Sequence, residues 1–229
     1  CREDISNIDG KTRDETVTTL LLRSYARNIS TTAANTSILR DIRANTDIGE
    51  TTFYEYVAAL KKLFVIQDIE AWCPAIRSKS SIQSGNKREF VDPSLVVSAL
   101  GVEPDYFNLD LKTFGFIFET LCIRDLKIYS NALGGRVSYY RDRYGLEADC
   151  VLHLRDGKYA LIEFKLGSSE IDEGAKHLNE IEKLVEEYNK TEKQCLLRAP
   201  DLKIVITGTQ YGYKRPDGVY VVPIGCLRD

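Results

Sequence analysis

A mixed α+β protein in two parts is what this sequence predicts, and three observations carry the prediction. Apolar residues keep helical i, i+3, i+4 spacing through much of residues 14–63. Short β-like runs separated by glycine-containing turns follow at 136–166, and a long helical pattern at 170–190 then separates them from two further strands. At 229 residues, 43% hydrophobic and 28% charged, the chain is long and apolar enough to bury a sizeable core. The net charge of −3 excludes a protein coated in basic surface, though not a local basic patch.

Residues 14–27 read as a helix with an acidic first turn, a second helix follows at about 33–44, and a third runs from Gly49 through Phe53, Tyr56, Val57, Leu60 and Leu63. Phe64–Ile69 turns β-like, Arg88–Asp92 reads as the returning strand, and Pro93 opens another helix. Three helices and a two-stranded ribbon predict a winged-helix module over 14–100, with 1–13 as a linker before it. Its wing is the loop Arg77–Arg88, which holds Arg77, Lys79, Lys87 and Arg88 and no acid, and these four cations are the expected nucleic-acid contacts. The third helix offers only Lys61 and Lys62 near its end, so a protein-interaction or spacer role competes with DNA reading.

Gly101, Pro104 and mixed polar residues mark 101–112 as a linker, leaving 113–229 as a second domain. Its elements are a helix at 113–129, strands near 136–144, 147–154 and 158–166, a helix at 170–190, and strands at 202–208 and 219–225. The order α-β-β-β-α-β-β is that of a restriction-endonuclease-like mixed sheet flanked by helices.

The candidate site is Asp149, Glu163 and Lys165, spaced Asp-x13-Glu-x-Lys across two strands of one hairpin. Alternation puts Asp149 on one face with Glu147, Val151 and His153, and puts Glu163 with Lys165. A two-residue Asp156-Gly157 turn pairs Asp149 with Phe164 and sends the carboxylates to opposite faces. A three-residue Arg155-Asp156-Gly157 loop, with Gly157 left-handed, pairs Asp149 with Glu163, and only this turn makes a site. Facing carboxylates repel unless a hard cation such as Mg2+ joins them, with the Phe164 carbonyl as a further ligand and Lys165 on the attacking water. Glu119 sits in an apolar helical stripe, where a carboxylate needs a metal or a cation, so it is either a third metal ligand or half of a buried ion pair. His177, on the helix after the motif, and Arg141 are accessory candidates. Arg141, Arg143, Tyr139, Tyr140 and Tyr144 mix rings and cations as single-strand binders do, and as Tyr-rich sheet faces also do.

The six cysteines, scattered without a C-x-x-C, fit reduced thiols and a cytoplasmic protein. No apolar run is long enough to span a bilayer. No P-loop or strand-linked G-x-G-x-x-G is present, so no ATP site is expected in these residues. The sequence begins at Cys1 and contains no methionine, which reads as a fragment.

Taken together, Ala33–Leu39, Glu50–Tyr56, Ala71–Pro74, Phe90–Leu95, Phe114–Glu119, Tyr139–Asp149 and Leu161–Gly167 resemble the domain of unknown function that follows the ATPase module in predicted bacterial and archaeal AAA-type ATPases. The resemblance implies an ATPase domain upstream in cis, where ATP would bind, and a C-terminal nuclease-like PD-(D/E)xK core. It implies no established reaction. The expected function is therefore Mg2+-dependent cleavage of DNA phosphodiesters by Asp149, Glu163, Glu119 and Lys165. The alternative is a catalytically inactive binding or regulatory module of the ATPase.

Overall fold

The computed structural model describes residue 5 and residues 10–75, 84–192 and 194–228. The chain forms two compact units, Cys1–Ile69 with Gly85–Leu121, and Glu70–Ser84 with Cys122–Asp229. Both mix helices with strands. Among the described residues no helix is long and apolar enough to cross a membrane.

In the first unit, α1 (Glu15–Arg27) opens on Asp14, whose carboxylate accepts the Thr16 N–H at 2.6 Å and the Val17 N–H at 3.3 Å. It packs with α2 (Asn35–Arg43) and α3 (Glu50–Lys62) around Leu21, Tyr25, Ile38, Ile42, Phe53 and Leu60, all fully buried. β1 (Ile66–Ile69) and β2 (Lys87–Phe90) form an antiparallel ribbon from Ile66↔Phe90 to Ile69↔Lys87. Asp92 caps α4 (Pro93–Leu100), which ends on Gly101 at φ +70°. The stretch expected as a linker instead holds a 3-10 turn, Pro104–Asn108, whose Phe107 is buried in this core.

Phe64 stands just past α3 at φ +55°, where its N–H donates to Lys61 O at 3.1 Å and the Val65 N–H to Leu60 O at 3.0 Å. This is the left-handed helix end that glycine normally fills, and the ring is 77% exposed, so little burial offsets the strain. Phe64→Gly is expected to raise unfolding stability by about 0.5–1 kcal/mol. A urea titration checks this, and a lower midpoint for the glycine variant would show that the ring packs.

Two expectations for the ribbon are corrected here. Lys87 and Arg88 are 1% and 7% exposed, not surface cations. Lys87 Nζ donates to Glu119 Oε1 at 2.7 Å, while Arg88 Nη1 meets Asp68 Oδ1 at 3.0 Å and its Nε donates to Ala33 O at 2.9 Å. Every side chain of β2 is buried, so alternation between core and solvent does not apply to it. Nor do Ala71 and Trp72, just past β1, stay with the ribbon. Ala71 makes a parallel bridge with Tyr139, the Trp72 N–H donates to Tyr139 O at 2.7 Å, and the Trp72 ring lies 4.6 Å from that of Tyr159, all within the second unit. Arg77 and Lys79 lie outside the described residues.

α5 (Leu111–Asn131) contributes Ile117 to the first core and buries Cys122, Ile123 and Leu126. The second unit then builds one six-stranded mixed sheet in the order β3-β4-β5-β6-β8-β7. β3 (Arg136–Arg141), β4 (Glu147–His153) and β5 (Tyr159–Lys165) are antiparallel, and β5, β6 (Leu202–Thr207) and β8 (Tyr220–Pro223) run parallel. β7 (Tyr213–Lys214) is a two-residue edge strand that sequence reading missed. α6 (Ile171–Thr191) crosses from β5 to β6, laying Ile171, Ala175, Leu178 and Ile181 over Val151, Leu161 and Val205.

Candidate functional site

The β4–β5 turn has three residues. The Leu154 N–H donates to Lys158 O at 2.8 Å, the Gly157 N–H donates to Leu154 O at 3.2 Å, and Gly157 sits at φ +86°. The resulting register runs from His153↔Tyr159 to Cys150↔Ile162 and stops there. Of the two turns the sequence allows, the three-residue one is present.

Strict alternation along β4 fails, because Ser138 pairs with Val151 but Tyr140 pairs with Ala148. Asp149 and Cys150 thus form a β-bulge opposite Tyr139. Ala148 and Val151 both enter the core beneath α6, so the simple alternation expected along β4 does not hold across Asp149 and Cys150. Released from the regular ladder, the Asp149 carboxylate accepts the Phe164 backbone N–H at 2.9 Å. In an antiparallel pair the N–H and C=O of one residue point the same way, so the Phe164 carbonyl faces this side too.

Glu163 is 2% exposed. Its Oε2 lies 3.1 Å from Lys165 Nζ, and its Oε1 lies 3.6 Å from Nδ1 of His177 on α6. Gly174, one turn before His177, lets α6 come this close: a Cβ there would stand 3.2 Å from Lys165 Cε and 3.3 Å from Glu163 Cβ. Burial and the charge of Asp149 push the Glu163 pKa up to about 7, against the pull of His177 and Lys165. Contact with Glu163 raises the pKa of His177 in turn. Lys165 is lowered by burial but raised more by Glu163 and Asp149, so it stays an ammonium.

These shifts fix a pH dependence. Native Glu163 holds its proton up to about pH 7, whereas the unfolded chain releases it near 4.5. Over that window the native state binds more protons, so stability falls as pH rises. His177 acts in the same direction, because its stabilisation is present below its ordinary pKa of 6.5 and is lost through its raised one. At about 1.4 kcal/mol per pH unit, the Glu163 interval bounds the loss at about 3 kcal/mol. Denaturant titrations in metal-free buffer at pH 5 and pH 8 are expected to show this slope in the wild type and a smaller one in Glu163→Gln. Equal slopes would refute it.

The other expected site residues are engaged elsewhere. Glu119 belongs to the first unit, where it pairs with Lys87, so of the two expectations the buried ion pair is the one found. Arg141 Nη1 lies 3.7 Å from Glu147 Oε2, across the β3–β4 ladder. His153 contacts the Ser138 hydroxyl at 3.1 Å and the Trp72 ring. Tyr139 is 1% exposed and Tyr140 packs against the core beneath α6, which withdraws both rings from any single-strand surface. Among the described residues, no group of three or more His, Cys, Asp or Glu is arranged to hold a metal ion. Sequence reading missed the Asp149 bulge and the close approach at Gly174. The small residues Gly174-Ala175 just before Lys176 and His177 were the available signal for the second.

Fold and site together define a mixed-sheet α+β domain with an acid pair, a lysine and a histidine gathered between β4, β5 and α6. Residues 114–227 match the family described as Domain of unknown function (DUF4143), and residues 1–106 match the Domain of unknown function (DUF8612). No curated protein and no solved structure matches the chain.

Proposed function

We propose that the second unit is a restriction-endonuclease-like, Mg2+-dependent phosphodiesterase acting on DNA, and that the chain is the C-terminal region of a cytoplasmic ATPase. The observation that supports this is the buried Glu163 carboxylate, which lies 3.1 Å from Lys165 Nζ and feels the nearby charge of Asp149. The donor set suits Mg2+, which takes one or two carboxylates and completes its shell with waters and a phosphate. Asp149, Glu163 and the Phe164 carbonyl would hold the ion, so the expected three-carboxylate set contracts to two. Bound Mg2+ supplies charge neutralisation at the phosphoryl oxygens and a more acidic water.

The chain's own residues do the rest. Lys165, kept protonated, donates hydrogen bonds and positive charge toward the attacked phosphate instead of serving as a base. His177 steadies Glu163 from α6. The bulge keeps Asp149 at the end of the ladder, aimed at the Phe164 backbone. The first unit, with three helices before an antiparallel ribbon, is read as a winged-helix module. Its role is interaction within the ATPase, since Lys87 and Arg88 are buried.

The test is cleavage of DNA by this chain with Mg2+ and with EDTA. Glu163→Gln should abolish the metal-dependent product, and cleavage that persists in EDTA or in this variant refutes the reading. A second reading, a non-catalytic binding module of the ATPase, draws on the Lys165–Glu163 contact, which alone already partly neutralises the buried acid. Metal binding without cleavage of any DNA would favour it.

A further inference from the structure

We infer that the chain self-associates through its first unit, with an aromatic and basic patch at the end of α3 on one copy seated on an apolar and acidic patch around the Pro104–Asn108 turn of another. This goes beyond the phosphodiesterase reading and does not depend on it, because every residue of both patches lies in the first unit.

The first patch is marked by strain. Phe64 holds φ +55°, which costs any residue with a Cβ, yet its ring is 77% exposed. Glycine would make the same turn, so neither the turn nor local packing accounts for a ring here. Strain kept without local gain points to a use for the side chain outside the unit. Lys61 and Lys62 precede it, both exposed, and residues 56–64 contain no acid. Glu55, one step earlier, meets Lys11 at 2.7 Å.

The second patch is built around Phe107, which the 3-10 turn buries in the core. Its ring stacks on Phe114 at 6.1 Å and meets Tyr106 edge-on at 6.4 Å, so the three rings are contiguous. Tyr106 and Leu109 are 51% and 86% exposed, and Leu111 and Phe114, three apart at the start of α5, are 63% and 38% exposed. Single apolar residues are ordinary on a surface, whereas four large ones within residues 106–114 mark an interaction site. Glu103, Asp105 and Asp110 rim this patch against one cation, Lys112. Asp110 stays ionised, because Thr113 donates to its carboxylate from the hydroxyl at 2.7 Å and the backbone N–H at 3.1 Å and lowers its pKa.

Charge decides the occupant. The acidic rim repels phosphate, which sets nucleic acid and anionic lipid aside, and it would equally repel the same patch of a second copy. Its complement is an apolar group flanked by cations, and Phe64 with Lys61 and Lys62 is that arrangement on the same chain. An interface with rings at its centre and charges at its rim takes affinity from the first and register from the second. Unlike patches meet, so each copy offers both halves, and the halves can be removed separately.

Sedimentation equilibrium of this chain over a range of concentrations is expected to show reversible association that weakens as salt rises. Phe64→Gly removes one patch and Leu109→Ser with Leu111→Ser the other, and each variant should associate at least about tenfold more weakly. All three side chains are exposed, so circular dichroism should match the wild type. At low concentration the Phe64→Gly urea midpoint should be no lower, and a lowered midpoint assigns the ring to the unit's own core and overturns the first patch. Mixing the two variants, each carrying a different fluorophore, should restore association as energy transfer, because each keeps the patch that the other lacks. A wild type that stays monomeric at every concentration overturns the inference and leaves the patches to a different protein. Association untouched by either variant overturns it as well. So does a mixture that fails to associate, since like patches would then be meeting.

Discussion

Lys165→Ala is expected to lower the rate of Mg2+-dependent DNA cleavage about 100- to 1000-fold, the usual cost of removing one preorganised donor from developing charge. The ammonium is held at the end of β5 with only 18% of its side chain exposed, where its charge is poorly screened. The same contact makes Lys165 a competitor for Glu163 Oε2, so at alkaline pH, where Glu163 is ionised in both proteins, alanine should leave Mg2+ affinity equal or higher while the rate falls. A general collapse of the site would lower both. Removing the lysine also removes one of the groups that lower the Glu163 pKa, so Glu163 should hold its proton to still higher pH. The rate of the variant should therefore recover partly as pH rises above neutrality. Single-turnover cleavage with calorimetric Mg2+ titration separates these effects. Cleavage within threefold of wild type, or parallel loss of rate and metal binding, would sink the assigned role.

The site was legible where local chemistry decides it. Asp156-Gly157 marks a turn whatever surrounds it, but a left-handed Gly157 suits the two-residue and the three-residue forms alike, and the choice of three is shown by the Leu154–Lys158 hydrogen bond. That one choice sets the register from His153↔Tyr159 to Cys150↔Ile162, because a single-residue slip exchanges the faces. The bulge at Asp149 was not legible, since it depends on how β3 meets β4 and leaves no composition mark. Glu119 showed the opposite balance. Its need for a partner followed from the apolar stripe around it, but the partner lies 32 residues away on a strand that reads as surface. A run of Lys-Arg-Glu looks solvated by any periodicity rule. Here it is buried because Lys87 meets Glu119, Arg88 meets Asp68, and Glu89 accepts from the hydroxyls of Ser30 and Thr120, each at 2.8 Å. Polar strands can enter a core when every charge finds a specific group, and that condition is set by long-range packing.

The Lys87–Glu119 pair therefore carries the largest expected stability effect. Side chains 1% and 10% exposed hold a contact of 2.7 Å, so neither charge is well screened by water. Lys87→Met keeps the aliphatic length but leaves the Glu119 carboxylate buried without that donor, at an expected cost of about 3–5 kcal/mol. A typical domain has about 5–15 kcal/mol in all, so the variant would sit near its unfolding threshold at ordinary temperature. Glu119→Gln should cost less, because an amide still accepts from Lys87 and carries no charge of its own. The informative variant is the double one, Lys87→Met with Glu119→Leu, which replaces both ions by apolar groups of similar size. Buried pairs exchanged in this way often return most of the lost stability, so the double variant should be more stable than Lys87→Met alone. Urea titration of the wild type, Lys87→Met, Glu119→Leu and the double variant gives the coupling energy directly. A Lys87→Met cost below about 1 kcal/mol, the range of exposed pairs, would mean that water reaches Glu119. A double variant no better than the single one would mean that β2 is held by its other charged contacts, with Arg88–Asp68 foremost.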